Sequence, residues 1–224
     1  MKNFIFALFL ACAAGSVVNA EPVRSILARM DQEASAFHSL SADMVLNTYT
    51  AVLKDTTKET GTLKMQRQGP GKLRAIMDFT AGSDARTIAF LGKMVEVYYP
   101  NLKQVDEYAI GKNTDVLNQL LLLGFGSSGK ELEQNYEVTA EGTEKVGAQD
   151  TTKLLLIPKD KKLLEKLQRA EIWMPVGGSS PVQQQFYEPS GNYRQVIYSE
   201  IVRNPRFQGT LELKVPPGTS RQRH

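Results

Sequence analysis

One stretch of the sequence resembles a loop that cradles phosphate. Residues 124–130 read Gly-Phe-Gly-Ser-Ser-Gly-Lys and fit the first seven positions of such a loop. The next position, where a hydroxyl would bind magnesium, is Glu131, whose carboxylate would repel phosphate. The run of Leu before this stretch has a helical character. We therefore expect a glycine-broken connection between helices and no nucleotide site.

Catalytic side chains are scarce. His38 and His224 are the two histidines of the whole chain, and Cys12 is its single cysteine. The adjacent carboxylates Asp106 and Glu107 fit a solvated strand end better than an acid–base pair. We expect no enzyme, no catalytic or metal site and no cofactor. An esterase is the alternative, and His38 within reach of a Ser hydroxyl would favour it.

Arg67 stands out within a strand-like stretch. In residues 61–67, Leu63, Met65 and Arg67 share one face, because alternate side chains of a strand point the same way. One interpretation is a strand-end arginine that reaches solvent beside Gly69. The other is a guanidinium at the mouth of an apolar cavity.

An apolar run at residues 120–123, followed by Phe125, has two interpretations as well. Four consecutive leucines on a short helix are too wide for a narrow buried stripe. They could plug the core, or they could form the inner face of a movable lid over an apolar ligand.

A basic cluster lies near one connection. It consists of Lys159, Lys161, Lys162, Lys166 and Arg169. Such a cluster is usually a solvated face, and docking on an acidic lipid or protein is the alternative.

The first twenty residues are typical of a secretory signal peptide. Lys2 gives the positive start, residues 4–14 the apolar segment, and Val18-Asn19-Ala20 a small-residue cleavage site. We expect cleavage after Ala20 and export to the periplasm. Residues 9–12 loosely resemble a lipobox, so lipidation of Cys12 is an alternative that would tether the chain to a membrane.

The composition is that of an ordinary globular protein. Hydrophobic residues make up 42% and charged residues 23%, with a formal net charge of +3. This charge is too small to indicate nucleic acid, and no later segment is long and apolar enough to cross a membrane. We expect one domain over residues 21–224, monomeric and with no nucleic-acid partner.

The pattern of the mature chain predicts many short strands between a few helices. A first amphipathic helix covers residues 22–38. Further helices are predicted near 114–123 and after Ser128, where Ser128 and Glu131 form a possible capping box, and a helical turn near Leu163. Alternating apolar residues predict the following strands: 44–53, 60–68, 72–79, 86–91, 94–99, 136–141, 144–149, 152–157, 170–174, 182–188, 193–203 and 210–215.

Four segments of the chain together resemble the periplasmic outer-membrane lipoprotein carrier family, the LolA-like proteins. Residues 37–41 are similar to the end of the family's opening helix and its first strand, and residues 61–67 to its second-strand motif from Gly to Arg. Residues 98–104 resemble its aromatic strand, and residues 211–218 its last strand and Pro-rich exit.

The resemblance implies a mainly β fold with helices. That fold is an open, incomplete antiparallel β-barrel covered by α-helices that form a lid over an apolar cavity for lipoprotein acyl chains. It also implies that Arg67 contacts the lid, and that the partners are acylated lipoproteins or lipids, an inner-membrane release complex and an outer-membrane acceptor. A tethered lipoprotein acceptor or an envelope-stress sensor on the same fold is the rival function.

Strand alternation then indicates the site residues. We expect the cavity to be lined by Leu63, Met65, Leu73, Met77, Val95, Val97 and Tyr99, and closed by Leu120, Leu121, Leu123 and Phe125. Arg67 should donate hydrogen bonds to carbonyl groups within residues 120–126, because a buried guanidinium needs partners.

Overall fold

The computed structural model describes residues 21–69, 72–79, 84–111 and 114–224. Within them, twelve strands form one sheet whose edges do not meet, so it is an open half-barrel. The order across the sheet is β12-β6-β5-β4-β3-β2-β1-β11-β10-β9-β8-β7. The strands are β1 (Ser39–Thr50), β2 (Asp55–Gly69), β3 (Lys72–Phe79), β4 (Arg86–Leu91), β5 (Met94–Tyr99), β6 (Gln104–Ala109), β7 (Tyr136–Val146), β8 (Gln149–Pro158), β9 (Arg169–Pro175), β10 (Gln183–Tyr187), β11 (Tyr193–Arg203) and β12 (Ser220–Arg223).

The strand pairs are antiparallel with one exception. The C-terminal strand β12 pairs with β6 in parallel, Arg221 lying opposite Val105. The fold is thus the mainly β open half-barrel with helices that the family resemblance implied, and β12 adds one parallel pair at its edge. The parallel pair arises because the chain reaches β6 by a long crossover and not by a hairpin.

Helices cover the inner face of the sheet, which we define as the face that carries Leu63 and Met65. They are α1 (Val23–Ala36), α2 (Thr114–Leu122), α3 (Gly129–Asn135) and the single turn α4 (Lys161–Leu164). Helix α1 buries Ile26, Leu27 and Met30, which recur at helical spacing. They pack with α3 and strands β7–β9 in one apolar cluster, while a second cluster covers β1–β4.

Several predicted elements are confirmed with changed boundaries. Strands 72–79, 86–91, 94–99 and 193–203 match their predictions, and the Ser128–Glu131 capping box at α3 is present. The prediction of two separate strands at 136–141 and 144–149 is wrong, because β7 runs continuously through residues 136–146 and has a bulge between Ala140 and Gly142.

The strand predicted at 210–215 is also wrong. The segment between β11 and β12 crosses the outer face of β1–β5, and side chains satisfy its backbone. Gln66 accepts a hydrogen bond from the Leu211 amide at 2.9 Å, and Arg74 donates one to the Leu211 carbonyl at 2.9 Å. Strands β6 and β12 were not predicted.

Across the described residues, no helix has both the length and the apolar character required to span a membrane. The signal-peptide prediction, with Cys12 and the cleavage site after Ala20, lies outside the described residues.

Candidate functional site: an apolar cavity under helix α2

A cavity of about 1110 Å³ lies between α2 and the inner face of the sheet. Its volume is at the upper end of the range for small-molecule sites in proteins. Strands β1, β2, β3, β10 and β11 form the floor, α2 forms the cover and the β8–β9 connection forms the rim. The apolar lining consists of Met44, Leu63, Met65, Met77, Ile110, Val116, Leu117, Leu120, Leu121, Leu163, Leu167, Phe186, Val196 and Tyr198.

Strand register explains why apolar side chains converge here. Leu63 lies opposite Met77 on β3, and Met44 on β1 lies opposite Tyr198 on β11. Because alternate residues of each strand point inward, neighbouring strands bring these side chains to one surface. Helix α2 adds Leu117 and Leu121, one turn apart on its lower face.

The predicted site residues divide between this cavity and a second one. Leu63, Met65, Met77, Leu120 and Leu121 line the apolar cavity. The second cavity, of about 940 Å³, lies on the other side of α2, and Arg67, Leu73 and Leu123 line it. Helix α2 therefore has open space on two opposite faces.

The remaining predicted residues lie next to these cavities. Val95 packs against the apolar cluster of β1–β4. Val97 and Tyr99 lie on the same face of β5 as Val95, but they line neither cavity. Leu123 and Phe125 lie beyond the end of α2, so they belong to the connection to α3 and not to a lid helix. Phe125 is buried and packs edge-to-face on Tyr198, with 5.0 Å between the ring centroids.

Arg67 contacts helix α1 and the α2–α3 connection from the side of the sheet. Its Nη2 donates a hydrogen bond to the Gly126 carbonyl at 2.8 Å, and its Nη1 donates one to the Ala34 carbonyl of α1 at 3.0 Å. The guanidinium also lies 5.2 Å from the centroid of the Phe37 ring. The Gly126 contact falls within the predicted stretch 120–126, and the Ala34 contact was not foreseen.

Two further side chains hold the same α2–α3 connection. Gln184 donates to the Leu123 carbonyl at 2.5 Å, and Arg203 donates to the Phe125 carbonyl at 3.3 Å. Carbonyl groups at the end of a helix lack intrahelical partners, so side-chain donors can satisfy them. Together with Arg67, three donors from three strands anchor this connection to the sheet. Sequence reasoning missed Gln184 and Arg203, because nothing local in the sequence relates them to residues 123–126.

Gln184 also organises the cavity floor. It accepts a hydrogen bond of 2.6 Å from the Tyr198 hydroxyl, and both side chains are buried. Burial raises the pKa of the Tyr198 hydroxyl, which therefore stays protonated and donates. The polar atoms of this pair are satisfied, so the floor presents an apolar surface to a ligand.

The second cavity has a more polar lining. Tyr136 is buried in its wall, and its hydroxyl has no hydrogen-bond partner among the described residues. Burial raises the pKa of Tyr136 to about 12. Asn118, on the upper face of α2, borders the same space.

The residues with catalytic potential are dispersed. His38 is exposed, and its side chain has no hydrogen bond to a Ser hydroxyl within the described ranges. Gly129, in the stretch that resembles a phosphate loop, packs against the Leu27 carbonyl of α1 instead. No group of three metal-binding side chains occurs in the part of the chain that the structure describes.

Glu107 is not solvated as the sequence suggested. It is buried on the outer face and accepts hydrogen bonds from Arg221 at 2.7 Å and Arg223 at 2.9 Å. Hydrogen bonds from Arg221 and then Arg223 hold the pKa of this carboxyl below its usual value of 4.5. Glu107 therefore fixes the C-terminal strand and takes no part in the cavity.

Comparison with known proteins locates the fold. No family model matches the chain, and no curated protein matches its sequence. An uncharacterized conserved protein from Thermus thermophilus superposes with a TM-score of 0.53 at 12% identity, over 91% of this chain and 100% of its own.

Two other solved structures connect the fold to named proteins. A LolA superfamily protein from Nitrosomonas europaea covers 84% of this chain and 96% of its own, at 14% identity and a TM-score of 0.38. The Mycobacterium tuberculosis lipoprotein LppX covers 83% and 98%, at 16% identity and a TM-score of 0.47. The structural neighbours thus include LolA-like proteins. At these identities the likeness is one of fold alone.

Proposed function

We propose that this chain is an exported carrier that binds the acyl chains of lipoproteins, or of other lipids, and shuttles them toward the outer membrane. The observation that carries the proposal is the apolar cavity of about 1110 Å³ under α2. Its floor and cover are apolar, and its rim carries charged side chains of both signs: Lys162, Lys166 and Arg194 with Asp160, Glu165 and Glu188. Such a site suits a molecule with a long apolar part and a polar end.

The energetics favour a carrier for this kind of cargo. Burial of each methylene group contributes about 0.8 kcal/mol, so one long acyl chain contributes on the order of 10 kcal/mol. A free acylated protein in water is disfavoured by the same amount and needs a shielded cavity. A carrier must also release what it binds, which requires a cover that can move.

The position of α2 supports a movable cover. Open space on both faces of α2 leaves room for the helix to shift, although Leu117 and Leu120 would have to leave the apolar clusters that they contact. Its connection to α3 is held by polar contacts from Arg67, Gln184 and Arg203, which can break and re-form. Cargo that displaces α2 outward would lengthen or break these hydrogen bonds. Their re-formation would favour the return of α2 and the release of the cargo.

Native mass spectrometry of the protein purified from the periplasm tests the binding function directly. Extraction of the bound material should yield acylated molecules. In vitro, a fluorescent long-chain fatty acid should bind the wild type, and Val196→Trp should weaken binding because the indole fills the cavity. Val202→Trp, at an exposed position of the same strand, is the matched control. Equal binding by both variants would reject the cavity as the acyl site.

Intact-mass measurement tests the proposed location. A mature chain beginning at Glu21, in the soluble periplasmic fraction, fits the carrier. A mature chain beginning at Cys12 with added lipid would instead indicate the tethered acceptor or sensor.

A further inference from the structure

The most exposed apolar side chains gather at one end of the half-barrel. Among the described residues, Val52 is 90% exposed, Leu53 72% and Leu102 68%, more than any other large apolar side chain. Val52 and Leu53 lie in the β1–β2 connection, and Leu102 lies in the β5–β6 connection. Both connections lie at the same end of the sheet, because all neighbouring strands from β1 to β6 are antiparallel and β1 and β5 therefore run in the same direction. We call it the rim end.

The rim end also carries an excess of lysine. Its four fully described connections are 51–54, 100–103, 159–168 and 188–192, and they contain six Lys against three acidic residues. Two of these acids already have partners: Asp160 caps α4 by accepting from the Leu163 amide, and Glu188 pairs with Arg194. The surface potential of the rim end is therefore positive. The lysines are Lys54, Lys103, Lys159, Lys161, Lys162 and Lys166.

Contacts with the β10–β11 hairpin fix the position of the β1–β2 connection, which carries Val52 and Leu53. The Ala51 amide donates to Asn192 Oδ1 at 2.9 Å, which ties the β1–β2 tip to the β10–β11 hairpin. Tyr49 stacks on Tyr193 with 4.9 Å between the ring centroids, and Tyr193 contacts Tyr187 at 5.8 Å. The exposure of Val52 and Leu53 is thus built into the fold, although burying them would be favourable.

The apolar cavity opens at the same end. Lys162 and Lys166, in the connection 159–168, line its rim. A lipid surface that contacts the rim end would therefore face the cavity opening, and an acyl chain could pass between them with little exposure to water.

We propose that the rim end docks reversibly on a bilayer surface that contains anionic lipids. Val52, Leu53 and Leu102 enter the interface, and the surrounding lysines contact the head groups. Exposed apolar side chains ringed by lysine have the chemistry of interfacial membrane binding, in which apolar insertion and attraction to anionic lipid add together. This contact needs no bound cargo, so it goes beyond the proposed carrier function and stands without it.

Vesicle co-sedimentation of the full mature chain without added ligand tests the proposal. The wild type should bind vesicles of phosphatidylcholine mixed with phosphatidylglycerol more tightly than vesicles of phosphatidylcholine alone. Raising the salt from about 0.05 M to about 0.5 M should weaken binding to the mixed vesicles, because the charges are screened.

Two sets of variants separate the apolar and the charged contributions. Val52→Ser with Leu53→Ser should weaken binding to mixed vesicles about tenfold. Lys54→Gln, Lys103→Gln and Lys161→Gln together should remove most of the salt dependence. The matched controls lie at the opposite end: Val176→Ser, and Lys72→Gln with Lys93→Gln and Lys145→Gln, which should bind like the wild type. Unchanged circular dichroism and melting temperature establish that each variant folds.

Three outcomes would overturn the proposal. They are a wild type that binds neither kind of vesicle, controls that lose as much binding as the rim-end variants, and loss of vesicle binding in Val196→Trp. The last would show that vesicle lipid enters the cavity and that the rim end does not dock. Fatty-acid binding that persists while vesicle binding fails would reject the docking proposal and leave the carrier function intact.

Discussion

Arg67 and Arg203 lie over the same ring, that of Phe37, and donate hydrogen bonds to the carbonyl groups of consecutive residues, Gly126 and Phe125. The two arginines come from strands β2 and β11, on either side of β1. Both arginines anchor the α2–α3 connection to the sheet, so the attachment of helix α2 does not depend on Arg67 alone.

Arg67→Leu should leave acyl binding largely intact and slow the transfer of a bound acyl probe to acceptor vesicles. The substitution removes the contacts to Gly126 and Ala34, which help the cover to re-close. Arg67→Lys should be intermediate, since one ammonium group cannot reproduce a planar fork. Stopped-flow fluorescence of probe transfer measures the rate.

Arg74→Leu is the matched control for that variant. Arg74 lies near Arg67, donates to a single carbonyl, that of Leu211, and points to the outer face. It should transfer the probe at the wild-type rate. Wild-type transfer by Arg67→Leu would show that Arg67 is a strand-end residue without influence on release.

Arg67→Leu and Arg203→Leu should be coupled. Each alone should lower the free energy of unfolding by about 1.5–3 kcal/mol, the usual range for hydrogen bonds to charged groups. Because the two share the Phe37 ring and one connection, the double variant should differ from the sum by at least about 0.5 kcal/mol. Urea unfolding of the four proteins in the cycle gives the coupling energy, and strict additivity would mean that the two arginines act independently.

Gly129→Ala should destabilise the protein more than most substitutions at the start of a helix do. A Cβ atom there would lie 2.3 Å from the Leu27 carbonyl oxygen, so α3 would have to move away from α1. We expect a loss of about 2 kcal/mol or more in the free energy of unfolding. Ser128→Ala, which removes only the cap of α3, should cost about 1 kcal/mol. An equal loss in both variants would contradict close packing of α1 on α3.

Acidification should release strand β12 before the sheet unfolds. The pKa of Glu107 is lowered in the folded state, so its contribution is complete above the usual value of 4.5 and is lost as the pH falls through the lower folded value. Protonated Glu107 no longer attracts Arg221 and Arg223. The protection factors of the β12 amides, which correct for the intrinsic slowing of hydrogen exchange in acid, should therefore fall below pH 4.5.

Glu107→Gln supplies the control for this pH dependence. Its β12 amides should already have low protection factors at neutral pH, and these should change little on acidification. Equal protection factors in wild type and variant across the pH range would show that other contacts hold β12.

The sequence predicted those parts of the site that depend on local pattern. Alternation identified Leu63, Met65 and Met77 as inward-facing, which follows from strand geometry within a short window. The contact of Arg67 within residues 120–126 was implied by the resemblance to the carrier family, together with the need of a buried guanidinium for acceptors.

The parts that failed depend on distant residues. The pair of acids in β6 suggested solvent, yet Glu107 is buried because Arg221 and Arg223 reach it from the C-terminus. Residues 210–215 alternate like a strand, but Gln66 and Arg74 supply the partners that a neighbouring strand would give. Nothing near Gln184 in the sequence indicates its contact with the Leu123 carbonyl, because the two residues lie far apart in the chain.

The place of β1 in the sheet sets the order in which the chain can fold. β1 lies between β2, which follows it directly, and β11, whose Tyr193 lies opposite Tyr49. The middle of the sheet therefore stays open on one side until nearly the whole chain has been synthesised, and pairings so distant in sequence form slowly. The N-terminal half therefore cannot complete the core while the rest of the chain is still being made.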